Sequence, residues 1–146
     1  MWIVYALKKS RLAEIEIPLH PFLGCVGTAP ERGEVRTTMV PSRHGGNMDC
    51  PQVRAGATVY LPVFEPGGLL FLGDCHAAQG DGELCGVALE VSCRVRFSVD
   101  VVRGWTIGWP RVEDEEHIMA IGSARIGNVV DPNYSVVARF PKKHLA

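Results

Sequence analysis

The sequence has no excess of charge of either sign: 15 Lys and Arg stand against 16 Asp and Glu, a formal net charge of −1 over 146 residues. A polyanion-binding surface needs a local basic surplus. The only basic clusters, Lys8-Lys9 and Lys142-Lys143, are short and near the ends, so nucleic acid is not an expected partner. Long apolar runs are missing as well. None approaches the roughly 20 residues of a membrane-spanning helix, so no membrane partner is expected either. Met1 to Leu7 is too short for a signal-peptide core, and its charges follow it instead of preceding it. No two cysteines have CxxC spacing, and the five present (Cys25, Cys50, Cys75, Cys85 and Cys93) are odd in number. That argues against a disulfide framework and a zinc ribbon. Each cysteine is expected to be a small buried hydrophobe, and a reducing cytoplasm is the simplest compartment. A helical period of 3.6 is also absent.

What the chain has in quantity is punctuation. Sixteen Gly and ten Pro interrupt it every few residues and leave no room for long helices. Between them the apolar residues alternate with period two. Ala13, Ile15, Ile17 and Leu19 share one strand face, with Glu14 and Glu16 on the other. Val59, Leu61 and Val63 form a strand closed by Pro66-Gly67-Gly68, and Leu69 to Leu72 is expected to be a strand buried on both faces. The clearest pattern runs from Val87 to Val101, where every odd position is apolar. It predicts one long strand, or two joined at a bend, with one face in a core. Further strands are expected at Ile118 to Ile121 and Tyr134 to Phe140. The length fits one domain, residues 1–146. The fold class is mainly β, a β-rich α+β arrangement with little helix.

Polar chemistry concentrates in two glycine-rich segments. One is Arg43-His44-Gly45-Gly46-Asn47-Met48-Asp49. The other runs from Gly73-Asp74-Cys75-His76 through Gln79-Gly80-Asp81-Gly82-Glu83. The second packs carboxylates, an imidazole and an amide between small residues that let the backbone turn tightly. Asp81-Gly82 alone is an ordinary turn pair, but a turn needs neither the histidine nor the glutamine. Asp74 and His76 are two apart, which on an extended strand end puts both on one face. A carboxylate and an imidazole so placed can share a divalent cation, zinc first and calcium second.

These stretches resemble the acetamidase/formamidase family. The resemblance is carried by Pro21-Phe22-Leu23-Gly24-Cys25-Val26-Gly27 with Ala29-Pro30, by His44-Gly45-Gly46-Asn47-Met48-Asp49, by Gly56-Ala57-Thr58 and by Tyr60-Leu61-Pro62-Val63. It continues through Gly73-Asp74, His76-Ala77-Ala78-Gln79-Gly80-Asp81-Gly82-Glu83, Cys85-Gly86 and Glu90. It is strong from about Ile15 to Pro110 and fades towards the C-terminus. It implies a β-rich fold and hydrolysis of short amides such as formamide and acetamide to the acid and ammonia. It also implies a metal-associated homo-oligomer. Against the family the chain is expected to lack most of an N-terminal portion and a closing helix, because Ile126 to Asn133 is followed only by a lysine-bearing tail.

Amide hydrolysis needs an activated water, a stabilised oxyanion and a proton for the leaving amine. Asp49, Asp74 and His76 are the metal-ligand candidates. Glu83 is the candidate general acid/base, and Asp81 joins it as a second catalytic candidate, ligand or partner of His76. His44, Asn47 and Gln79 would bind the substrate or its oxyanion. Glu90, on the polar face of the long strand, would stand behind the ligands. A Cys75–His76 nucleophilic dyad is disfavoured, because neighbours on a strand point to opposite faces. The alternative to an enzyme is a catalytically incomplete family remnant, a metal-binding or self-assembling β-module. The two differ in whether the two glycine-rich segments converge on one concave site.

Overall fold

The computed structural model describes residues 2–6, 14–123 and 135–144. The readings that rest on Met1, Leu7, Lys8, Lys9, Ala13, residues 126–133 and Tyr134 lie outside the described residues. The strands, in chain order, are β1 (Trp2–Ala6), β2 (Glu14–Pro18), β3 (Phe22–Gly27), β4 (Gly45–Asn47), β5 (Thr58–Tyr60), β6 (Phe71–Ala78), β7 (Leu89–Glu90), β8 (Arg111–Glu113), β9 (His117–Ser123) and β10 (Ser135–Pro141). Among the described residues the only helical pieces are short 3-10 turns, at Glu31–Gly33, Asp81–Glu83 and Lys142–His144. The mainly β expectation holds.

Every strand pair among the described residues is antiparallel. β1 and β2 form a ribbon, and two four-stranded sheets have the orders β4-β3-β6-β7 and β10-β9-β8-β5. In β2 the alternation is visible: Ile15 and Ile17 are half-buried while Glu14 and Glu16 are exposed. The core draws on both four-stranded sheets. Val26 comes from β3, Val112 from β8, and Met119 and Ile121 from β9; Met48, Cys50 and Val53 fill in from the segment after β4. Val112 and Met119 are fully buried, and each such side chain contributes about 1.5–3 kcal/mol. This core underlies the sheet in which β3 lies between β4 and β6.

Two strand expectations fail and a third holds only in part: the strand expected through Val59, Leu61 and Val63 ends at Tyr60, and Val63 is exposed. Leu69 and Leu70 are exposed, at 67% and 42%. The turn at Gly67 and Gly68 carries positive φ through to Leu69 at 50°, and the Leu69 N–H donates to the Gly67 carbonyl. The chain therefore becomes extended only at Phe71. The larger failure is Val87 to Val101, where only the two residues of β7 pair as strand. Val91, Phe97, Val99 and Val101 are exposed at 44–67%. The Val91 N–H donates to the Cys75 carbonyl at 2.9 Å, and beyond residue 93 no described strand pairs with the segment. The alternation is real, but no described part of this chain covers its apolar face.

The cysteine expectation also needs correction. Cys25 and Cys50 are buried free thiols, but Cys85 is exposed, and Cys75 and Cys93 are joined in a disulfide with Cα atoms 6.3 Å apart. Antiparallel approach of the segment after β7 to β6 brings this pair together.

Candidate active site

The site is assembled around β3. On one side β6 pairs with it in the register Leu23 with Cys75 and Cys25 with Gly73, which sets Asp74 beside Gly24. On the other side β4 pairs Cys25 with Asn47. The chain then turns back so that the Met48 and Asp49 N–H groups both donate to the Gly24 carbonyl, at 2.8 and 3.1 Å. Glu83 arrives from the 3-10 turn after β6, and Glu90 from β7, where it pairs with His76 across a register shift. Asn47, Asp49, Asp74, His76, Glu83 and Glu90 thus line one open cavity of about 810 Å³.

Backbone conformation contributes as much as strand order. Among the described residues, five other than glycine have positive φ, and three are site carboxylates: Asp49 (46°), Asp74 (57°) and Glu83 (43°). Such left-handed residues cost energy and persist where surrounding structure holds them. Asp74 and His76 do meet, as their spacing suggests, but Asp74 departs from extended geometry, so simple strand alternation is not what brings them together.

Asp49, Asp74 and His76 each offer a ligand atom, all within 4.8 Å of one another. His76 is buried, with Phe22 edge-on to its ring at 4.8 Å. Gln79 settles which ring nitrogen faces the carboxylates. Its Nε2 donates to the Asp49 carbonyl oxygen at 2.8 Å, so its Oε1 accepts from His76 Nδ1 at 2.8 Å. His76 Nε2 is then turned to the acids, 3.2 Å from Asp74 Oδ1 and 4.0 Å from Asp49 Oδ1. Among the described residues neither His76 Nε2 nor Asp49 Oδ1 finds a hydrogen-bond partner, and both atoms are fully buried. Buried polar atoms without partners are costly and rare. Two oxygens and one imidazole nitrogen around a shared space, with the other imidazole nitrogen hydrogen-bonded behind it, fit a divalent cation.

The electrostatics agree. Burial, then the charges of Glu83 and Asp74, push Asp49 up to about 7, against the pull of His76. Burial also raises Glu83, and the charge of His76 opposes it. Burial raises the Cys25 thiol to about 11, with Asp74 and Asp49 adding to it.

The remaining candidates stand further from the ligand cluster or are committed elsewhere. Gln79 lies behind His76, holding its orientation. Asn47 lines the cavity but spends its amide on Asp49 Oδ2, at 2.7 Å. His44 is buried, with its ring centre 6.3 Å from that of Phe71. Asp81 is exposed at the start of its turn, outside the cavity lining. The Cys75 sulfur is taken up by the disulfide. Sequence reasoning misses Gly24 and Cys25 as site residues, although both border the carboxylates. An isolated glycine inside an apolar strand signals close approach of another group, and that is the one clue the sequence offers for Gly24.

A profile of the acetamidase/formamidase family matches residues 7–136. The chain belongs to that family. It is 39% identical over 69 residues to an acetamidase of Mycolicibacterium smegmatis, covering 46% of this chain and 17% of that protein. It is 40% identical over 68 residues to a formamidase of Methylophilus methylotrophus, covering 45% of this chain and 16% of that protein. The solved acetamidase of Yersinia enterocolitica superposes with a TM-score of 0.79 at 35% identity, covering 90% of this chain and 52% of that one. The chain therefore spans about half the length of that solved relative, and its matches reach about a sixth of the curated ones.

Proposed function

We propose that this chain is a hydrolase of short linear amides, with formamide and acetamide as substrates and a divalent metal, zinc first, as cofactor. One observation carries the reading. Both glycine-rich segments send acidic groups into a single cavity, where buried Asp49 Oδ1 and His76 Nε2 face each other with no hydrogen-bond partner among the described residues. Asp49, Asp74 and His76 would hold the metal, which supplies Lewis acidity toward water and the amide carbonyl.

The chain's own groups do the rest. Glu83, buried and raised in pKa, takes a proton from the attacking water and returns it to the leaving ammonia. Gln79 keeps His76 Nδ1 protonated and Nε2 free for ligation. Asn47 orients the Asp49 carboxylate, and Glu90 adds negative charge at the cavity wall. Substrate-binding roles for His44 and Gln79 and a catalytic role for Asp81 draw less support from their positions. A cytoplasmic setting is supported by the free thiols of Cys25, Cys50 and Cys85, while the Cys75–Cys93 bond counts against it.

The test is ammonia release from formamide and acetamide by the purified chain, before and after chelation and with zinc restored. Release lost on chelation and regained with zinc supports the reading. A folded, zinc-loaded chain that releases none overturns it. A second reading, a self-assembling module, is favoured by the exposed apolar strip from Val87 to Val102. Light scattering coupled to gel filtration tests it: an oligomer reduced to monomer by Phe97→Asp supports the reading, and a wild-type monomer at micromolar concentration defeats it.

A further inference from the structure

Gly24 occupies the middle of β3, and its φ lies outside the left-handed region that favours glycine. An alanine would therefore cost nothing in backbone conformation. Space is the obstacle. A Cβ built on Gly24 would overlap Asp74 Oδ2 and would stand 2.8 Å from Asp49 Oδ1 and 3.0 Å from Asp74 Cγ. These distances are too short for real contacts, and the atoms met belong to the two carboxylates of the candidate centre. The Gly24 carbonyl also accepts the Asp49 N–H at 3.1 Å. One residue thus holds the Asp49 backbone through its oxygen and leaves room for both carboxylates through its missing side chain.

We propose that Gly24 is a positioning residue of the metal centre: the empty volume over its Cα is where Asp49 and Asp74 converge toward His76. The inference rests on the metal-centre reading above and deepens it. Ligand atoms must be held to within about half an ångström to be effective. A methyl group here forces at least one carboxylate aside, while the strand and its pairing can remain.

The experiment measures zinc affinity by competition with a chromogenic chelator, together with the cobalt(II) absorption spectrum, in wild type, Gly24→Ala and Gly122→Ala. Gly122 lies in β9, and a methyl group on its Cα would meet nothing within 4 Å among the described residues, so it controls for a glycine-to-alanine change within a strand. Gly24→Ala is expected to weaken zinc about 10–100-fold and to alter the cobalt spectrum, and Gly122→Ala to do neither. Zinc affinity in Gly24→Ala equal to wild type overturns the proposal.

A cycle on the metal-free melting temperature covers the case in which Gly24→Ala folds poorly. Adding Gly24→Ala to Asp74→Ala should cost less than half of what it costs alone, because the nearest oxygen has gone. Equal costs in both backgrounds mean that the clash does not run through the carboxylate, and they overturn the proposal. A wild type that binds no zinc removes the metal reading instead, and the melting cycle still decides the steric role of Gly24.

Discussion

Residues 73–83 and 87–101 are neighbours in sequence, and the chain treats them in opposite ways. The first has weak periodicity, many glycines and charged groups, yet its His76 and Glu83 are buried. The second has the cleanest alternation in the chain, yet its apolar face meets water. Period-two alternation states which face needs cover. It does not state that the same stretch of polypeptide supplies the cover. His76 can be buried because Gln79 meets its ring at hydrogen-bonding distance and is itself held by the Asp49 carbonyl of the other glycine-rich segment.

The contrast can be sharpened from its functional end. Glu83→Gln removes the proposed proton carrier and keeps the shape. Ammonia release should fall about 10²–10⁴-fold with zinc stoichiometry unchanged, measured by steady-state kinetics beside metal analysis. Next in size is the core that the strip does not join. Met119→Ala should destabilise the fold by about 2–5 kcal/mol, read from urea unfolding. Gln79→Ala frees the far side of His76 and should weaken zinc about 10–100-fold by chelator competition.

A pH series probes burial within the first glycine-rich segment. Burial, then Arg36, lowers His44 from 6.5. Its folded value is below its unfolded one, so the unfolded chain binds the proton more readily. The stability that neutral His44 contributes is present above about pH 6.5 and is lost as pH falls. Relative to His44→Phe, wild type should lose stability between pH 7.5 and pH 5.5 in metal-free urea titrations. The smallest effect is expected in the strip itself. Phe97 is 57% exposed, so Phe97→Ser should change the stability of the dilute chain by less than about 0.5 kcal/mol. A cost comparable to that of Met119→Ala would mean that the strip is covered after all.

Much of the architecture is legible in the residues alone. The scarcity of helix, the strands around residues 14–18 and 118–121, and the two segments that build the site all follow from glycine, proline and period-two spacing. Asp49, Asp74 and His76 can be named together because their residue types suit one cation. Three things stay hidden. Positive φ at Asp49, Asp74 and Glu83 depends on tertiary contacts, since aspartate and glutamate do not announce it as glycine does. The pairing of Cys75 with Cys93 depends on register between distant stretches. The purpose of Gly24 depends on which groups lean over it from β6 and from the segment after β4, and a single strand read alone cannot supply that.

Left-handed backbone at three site carboxylates has a consequence for how this chain would respond to selection. Each such residue stores about 1–3 kcal/mol, so the positions proposed for the chemistry are among the least comfortable for folding. A library selected only for protease resistance should enrich glycine or asparagine at positions 49, 74 and 83, while a library selected for amide turnover should retain the acids. The sites where those two optima diverge would mark out the reactive centre without any substrate being bound.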